Sequence, residues 1–250
     1  RIVLAALGSP DGYGRQVDGL GGGISSLSKV VIVGKSDRAD TDVTFTFGQV
    51  DVATPTIDWN GTCGNMSAAV GPFAIDEGMI NAVDPVTSVR VFAANTGQRY
   101  IARVPVRNGE AQVEGDYSID GVPSSGACIE LEYLRPGGSL NGSLLPTGLA
   151  REVYELDKSQ TGTVTVVDAA MPPVFVRASQ LGVDIRKPPQ ELDAETGVHS
   201  VLEKVRCWAS VRLGIASNDE EAHTKFLHTP KVALVGSSCA YRGADGRAID

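Results

Sequence analysis

Residues 63–75 read Cys63-Gly64-Asn65-Met66-Ser67-Ala68-Ala69-Val70-Gly71-Pro72-Phe73-Ala74-Ile75. Ala68, Ala69, Val70, Phe73, Ala74 and Ile75 carry apolar surface toward Gly78, so the stretch reads as a helix. Pro72 falls inside it and is expected to kink or shorten it. Strand patterns flank the helix. Val30-Val31-Ile32-Val33 is a β-branched run that reads as a buried strand, and Val43-Thr44-Phe45-Thr46-Phe47 alternates with one aromatic face. Further strands are expected at 89–93, 100–106, 128–134, 163–167, 174–177 and 231–235. Asn95-Thr96-Gly97-Gln98 forms a hairpin turn in which Gly97 supplies positive φ. The second convincing helix is His199–Leu213, where Val201, Leu202, Val205, Trp208, Ala209, Arg212 and Leu213 form a stripe. Many strands around two helices, without regular βαβ alternation, make an α+β protein. Asp116, Asp120, Gly121 and Pro123 crowd a boundary, which divides the chain into 1–118 and 119–250.

The chain has 250 residues, enough for one large or two small domains with a sizeable core. Hydrophobic residues make up 42% and charged residues 21%, which excludes a disordered or fibrous chain. The 22 Lys+Arg against 30 Asp+Glu give a formal net charge of −8. With no basic run in the sequence, nucleic acid and anionic membrane are not expected partners. No apolar run approaches the roughly 20 residues of a membrane helix, so a soluble chain is expected. Four cysteines without C-x-x-C spacing do not make a disulfide framework, and a reducing, cytoplasmic home is expected.

Several apparent motifs fail. Gly34-Lys35-Ser36 ends a strand as a phosphate loop does, but the glycine required five positions earlier is Lys29. The glycines at 19, 21, 22 and 23 precede a strand and do not open a helix, so they are no dinucleotide fingerprint. His199, His223 and His228 lack metal-ligand spacing, and no metal is expected. No nucleophile elbow is present.

Cys63 is the strongest candidate for chemistry. At the mouth of a helix it stands beside unsatisfied backbone amides and the positive end of the macrodipole. Such a place favours a reactive thiol and also cradles a carboxylate. The plainer reading is a small buried hydrophobe. Lys29, after Ser25, Ser26 and Ser28, is either a solvated strand-end charge or a partly buried amine able to exchange protons. The turn at 144–148 and Asp168-Ala169-Ala170-Met171-Pro172 read as plain turns.

Taken together and in order, these segments resemble the PrpF family of 2-methylaconitate isomerases and their relatives. The matching stretches are Gly8-Ser9-Pro10-Asp11, Tyr13-Gly14-Arg15-Gln16, Asp18-Gly19-Leu20-Gly21-Gly22 and Ser25-Ser26-Leu27-Ser28-Lys29-Val30. They continue with 63–65 and 68–75, Ala94-Asn95-Thr96-Gly97, Ile119-Asp120-Gly121-Val122-Pro123, Leu144-Leu145-Pro146-Thr147-Gly148 and Thr229-Pro230-Lys231-Val232-Ala233. The resemblance implies the diaminopimelate-epimerase-like fold: two similar domains, each a curled, mostly antiparallel sheet around a central helix. It further implies a cofactor-independent proton shift on a small unsaturated di- or tricarboxylate, with Lys29 and Cys63 as the proton carriers. Substrate contacts are expected from Ser25, Ser28, Gly64, Asn65, Met66, Ser67, Thr147 and Gly148, and a homo-oligomer is allowed. A 4-oxalomesaconate tautomerase and a non-catalytic carboxylate binder or inactive fragment are the alternatives. Family chains are longer at both ends, so this chain reads as an internal piece with its second domain incomplete. Met171 stands where many relatives carry an asparagine, which puts the usual substrate preference in question.

Overall fold

The computed structural model describes residues 1–157, 160–169, 171–227, 229–243 and 246–249. Ala170 of the turn after Asp168, and His228, lie outside them. The chain divides into two compact units, Arg1–Arg135 and Pro136–Asp250. This division falls later than the expected 118/119, because residues Glu130–Leu134 pair along Arg99–Arg103 and so belong to the first sheet.

The first unit is built on strands β1 (Lys29–Lys35), β2 (Val43–Val50), β3 (Val86–Ala93), β4 (Gln98–Arg107) and β5 (Glu130–Leu134). β1 and β2 are antiparallel, as are β3 with β4 and β4 with β5, while β2 and β3 run parallel. A parallel pair needs a long crossover, and helix α1 (Gly64–Asp76) lies within that connection. Val70, Ala74 and Ile75 of α1 pack against Val43, Phe45, Val89, Val91, Tyr100, Ala102 and Val104. Each of the Val, Ile and Phe side chains so removed from water contributes about 1.5–3 kcal/mol. Close approach depends on Gly71, where a Cβ would stand 2.7 Å from a Val104 methyl and 3.1 Å from the Ala102 Cβ. The helix runs through Pro72 to Asp76, so the proline does not shorten it. The Asn95–Gln98 turn forms as expected, with Gly97 at φ 69°. β1 is not the buried strand its sequence suggests. It pairs on one side only among the described residues and is half-buried, leaving Ile32 54% exposed.

The second unit contains β6 (Glu152–Asp157), β7 (Gln160–Val166), β8 (Pro173–Arg177) and β9 (Lys231–Val235), paired in that order. The first two pairings are antiparallel, and β8–β9 is parallel. Helix α2 (Thr196–Arg212) lies within the crossover of this parallel pair. Val205 and Ala209 of α2 join Tyr154, Val164, Val166, Val174 and Val176 in the core, and Trp208 packs at its margin. Each unit is therefore a mostly antiparallel sheet whose core-packed helix, α1 or α2, lies in the crossover of a parallel pair, the α+β arrangement expected.

Some elements escape the sequence reading. β6 is one, because Val153 is exposed and its Glu-Val-Tyr-Glu-Leu run shows no clean alternation. Helix α3 (Asp219–Lys225) buries only Ala222, so it has no apolar stripe. Its signal was local: Asn218 accepts from the Glu221 N–H at 2.8 Å, and Glu221 accepts from the Ser217 N–H at 2.9 Å. Short helices at Ile2–Leu7 and Pro189–Asp193 are likewise additional. No described helix is long and apolar enough to cross a membrane, and all four cysteines are free.

Candidate active site

Lys29 opens β1 and Cys63 precedes α1, 34 positions apart in sequence. The fold brings them together: the Lys29 Nζ donates to the Cys63 Sγ at 3.3 Å. Both are partly buried, and Lys29 makes no ion pair among the described residues. The sulfur is thus the polar partner of an otherwise unneutralised amine. The contact sets a nitrogen base against a sulfur acid.

Cys63 has extended backbone (φ −142°, ψ 118°), and its carbonyl accepts from the Ser67 N–H and the Ser67 hydroxyl, each at 2.9 Å. It is the N-cap, yet no side chain caps the helix and no acidic residue stands in the first turn. The amides of Gly64, Asn65 and Met66 precede the first residue able to find an intrahelical acceptor. Gly64 and Asn65 are exposed, and a Cβ at Gly64 would meet nothing within 4 Å. The mouth of α1 is therefore an open row of donors at the positive end of a helix, with an amine and a sulfur beside it. That arrangement suits a carboxylate whose neighbouring carbon exchanges a proton.

Not all expected contacts face this opening. Ser67 is fully buried, with its hydroxyl turned back onto the Cys63 carbonyl and its own carbonyl taking the Tyr100 hydroxyl at 3.0 Å. Burial pushes the Tyr100 phenol well above its usual range, so that hydroxyl stays a donor. The Met66 side chain packs against the core. Ser28 is also fully buried and donates inward to the Gln16 amide oxygen. Ser25 is exposed, and its carbonyl accepts from Gln49 Nε2 at 2.7 Å. These three buried or core-packed side chains support the site and do not line it. Thr147 and Gly148 belong to the second unit. Gly148 has φ 76° and donates to the Leu145 carbonyl at 2.8 Å, the plain turn its sequence suggests.

Asn95, a turn residue by its sequence, braces the approach to Cys63. Its Oδ1 accepts from the Phe47 N–H at 2.7 Å, while Nδ2 donates to the carbonyls of Phe47 and Trp59. The amide thus ties the β3–β4 hairpin to β2 and to the segment leading into α1. Trp59 in turn covers Gly48 of β2.

The second unit holds another sulfur-containing cluster that spacing could not reveal. Glu203 and Cys207 of α2 and His223 of α3 place ligand-type atoms within 4.8 Å of one another. The Arg206 guanidinium already fills that place. It donates to both Glu203 oxygens at 2.6 and 2.7 Å, to the Cys207 sulfur at 3.4 Å, and to the Ala222 carbonyl at 2.9 Å. The Arg206 hydrogen bonds, with help from His223, hold the Glu203 carboxyl down at about 2. Burial pushes the Cys207 thiol up to about 11. Arg206 thus clamps α2 to α3 through Glu203, Cys207 and the Ala222 carbonyl.

The family model described as PrpF protein matches residues 1–250. The chain belongs to the PrpF family. It is 38% identical over 255 residues to the 2-methyl-aconitate isomerase of Cupriavidus necator, a match covering 99% of this chain and 64% of that protein. It is 37% identical over 237 residues to the 4-oxalomesaconate tautomerase of Pseudomonas putida, covering 95% of this chain and 62% of that protein. A crystal structure of methylitaconate-delta-isomerase superposes with a TM-score of 0.76 at 37% identity, covering 99% of this chain and 64% of that one. This PrpF chain therefore spans less than two thirds of the length of these relatives.

Proposed function

We propose that this PrpF-family chain belongs to a cofactor-independent isomerase that shifts a proton on a small unsaturated tricarboxylate of the 2-methylaconitate or aconitate class. The observation that carries this reading is the 3.3 Å contact between Lys29 Nζ and Cys63 Sγ at an uncapped helix mouth. Two similar proteins are a 2-methyl-aconitate isomerase and a methylitaconate-delta-isomerase, which supports the substrate class.

A substrate carboxylate docks on the Gly64 and Asn65 amides. One member of the pair, as neutral amine or thiolate, takes a proton from the carbon next to the C=C–COO⁻ unit. The electron pair left behind delocalises into the carboxylate as a dienolate, whose former double bond loses its barrier to rotation. The donors at the helix mouth stabilise the charge arriving on the carboxylate oxygens. The other member of the pair then returns a proton. Return to the same carbon gives cis–trans isomerisation, whereas return to the far end of the dienolate moves the double bond. Both proton carriers are side chains, so the step calls for no cofactor.

The resemblance to a 4-oxalomesaconate tautomerase favours a second reading, in which the same pair moves a proton between a keto and an enol form. The free cysteines support a cytoplasmic home. The test is incubation of the complete protein in D₂O with a panel of aconitate-type acids and 4-oxalomesaconate. Deuterium is expected at the allylic carbon of an aconitate-type acid, and to be lost with Lys29→Ala. Exchange confined to the keto acid would establish the tautomerase reading. Tight binding with no exchange anywhere would end both.

A further inference from the structure

The glycine-rich segment before β1 was left without a role by the failed nucleotide motifs, and the structure gives it one. Its centre is Gln16, a polar side chain only 1% exposed and one of the largest fully buried residues in the chain. Gln16 adopts φ 53°, the left-handed region that a side-chain-bearing residue rarely enters. Asp11 holds it there: the carboxylate accepts from the N–H groups of Tyr13 at 2.9 Å, Arg15 at 2.9 Å and Gln16 at 2.6 Å. Those amides, that of Tyr13 foremost, keep the Asp11 carboxyl below its usual range. The inverted backbone turns the Gln16 amide inward. Its Nε2 donates to Ser9 Oγ at 2.7 Å, and its Oε1 accepts from the Gly23 N–H at 2.9 Å and from the Ser28 hydroxyl. Gly21 is needed for clearance, since a Cβ there would fall 2.3 Å from the Gln16 Oε1.

Ser28 links this centre to the candidate active site. It is fully buried, its hydroxyl is held by Gln16, and its carbonyl accepts from the Val50 N–H and from Gln49 Nε2, each at 3.0 Å. The next residue is Lys29. The strand carrying Lys29 is half-buried and pairs with β2 alone among the described residues, so its start, where Lys29 stands opposite Gln49, is held from one side only. We infer that Gln16 is the positioning residue of the Lys29–Cys63 pair: through Ser28 it fixes the backbone from which the Lys29 amine reaches the sulfur. The inference rests on the proton-pair reading above and adds a residue that touches neither member of the pair.

The test measures alkylation of Cys63 by iodoacetamide in the complete protein, followed on the Cys63 peptide by mass spectrometry and paired with hydrogen exchange of the Lys29–Val31 segment. In the parent, Lys29→Met slows alkylation roughly tenfold, because an adjacent cation supports the thiolate. Gln16→Leu and Ser28→Ala are expected to slow it as much, and adding Lys29→Met to either brings no further loss. Gln16→Glu keeps an acceptor for Ser28 and Gly23 and is expected to retain the parent's dependence on Lys29. Exchange at Lys29–Val31 should quicken about tenfold in Gln16→Leu and Ser28→Ala, as follows from losing a buried hydrogen bond. A folded Gln16→Leu chain that alkylates at the parent rate and still responds fully to Lys29→Met overturns the inference. If Gln16→Leu does not fold, Ser28→Ala, which deletes one hydroxyl, decides by the same criterion. Should Lys29→Met leave the parent rate unchanged, the proton-pair reading fails. The exchange data then judge Gln16 alone, and unchanged protection at Lys29–Val31 overturns its positioning role.

Discussion

Helix α1 begins behind a cysteine, with a glycine and an asparagine in its first turn and a lysine amine against the sulfur. Helix α2 bridges the equivalent parallel pair of the second unit, yet it begins behind Glu195, which is paired to Lys187, with Asp193 two residues earlier beside His199. The same topological position is thus open to an anion in one unit and already acidic in the other. Cys63, partly buried, and Cys207, buried, differ in the same way. Cys63 sits outside its helix facing an amine, while Cys207 sits within its helix, behind Arg206 and Glu203. A shared scaffold presents a helix mouth in each unit, and the residues there give the two mouths opposite charge character.

The contrast breaks most easily at the pair itself. Lys29→Ala and Cys63→Ser should each lower kcat of the complete enzyme about 10²–10⁴-fold, the usual contribution of a placed acid or base, with melting temperature little changed. Thermal melts and steady-state rates measured side by side check this. The converse holds in the second unit. Arg206→Met removes a guanidinium that bonds Glu203, Ala222 and Phe226, and should destabilise that unit by about 3 kcal/mol in urea titrations. Gly71→Ala drives a methyl into Val104 and should cost the first unit about 1–3 kcal/mol, read from the same titrations.

Smaller effects sharpen the comparison. Glu203 has its carboxyl lowered in the folded state, so its stabilising effect is fully present above its ordinary value of 4.5. That contribution is lost as pH falls through about 2. Glu203→Gln should flatten the acid side of the second unit's stability profile and leave the first unit's unchanged. With its thiol pushed up to about 11, Cys207 should resist iodoacetamide at pH 8 until the unit unfolds, whereas Cys63 reacts in the folded chain. Peptide mapping after timed alkylation reads both sites at once.

The sheet elements with strong periodicity, such as 43–47 and 100–106, were legible because their buried faces alternate with period two. Both crossover helices declared themselves by their apolar residues. β6 and α3 did not: the exposed Val153 beside the buried Tyr154 breaks the apolar alternation of β6, and α3 buries only Ala222. The Lys29–Cys63 pair was legible in part: helix-mouth chemistry singled out Cys63, but only the resemblance joined it to Lys29, because a contact across 34 residues leaves no local trace. Ser28 and Ser67 were read as substrate contacts since an exposed and a buried hydroxyl look alike in one dimension. Gln16 was invisible for a related reason. Its importance lies in a backbone inversion and in three bonds to residues up to 12 positions away, none of which a glutamine announces.

The two tryptophans of the chain are divided between the units: Trp59 lies over Gly48 just ahead of the candidate site, and Trp208 stands 6.0 Å from Tyr154 at the margin of the second core. The molecule thus carries one native fluorophore per unit. Replacing either indole with phenylalanine leaves an emission that follows a single unit, so ligand titration and denaturation can be tracked separately without attaching a dye.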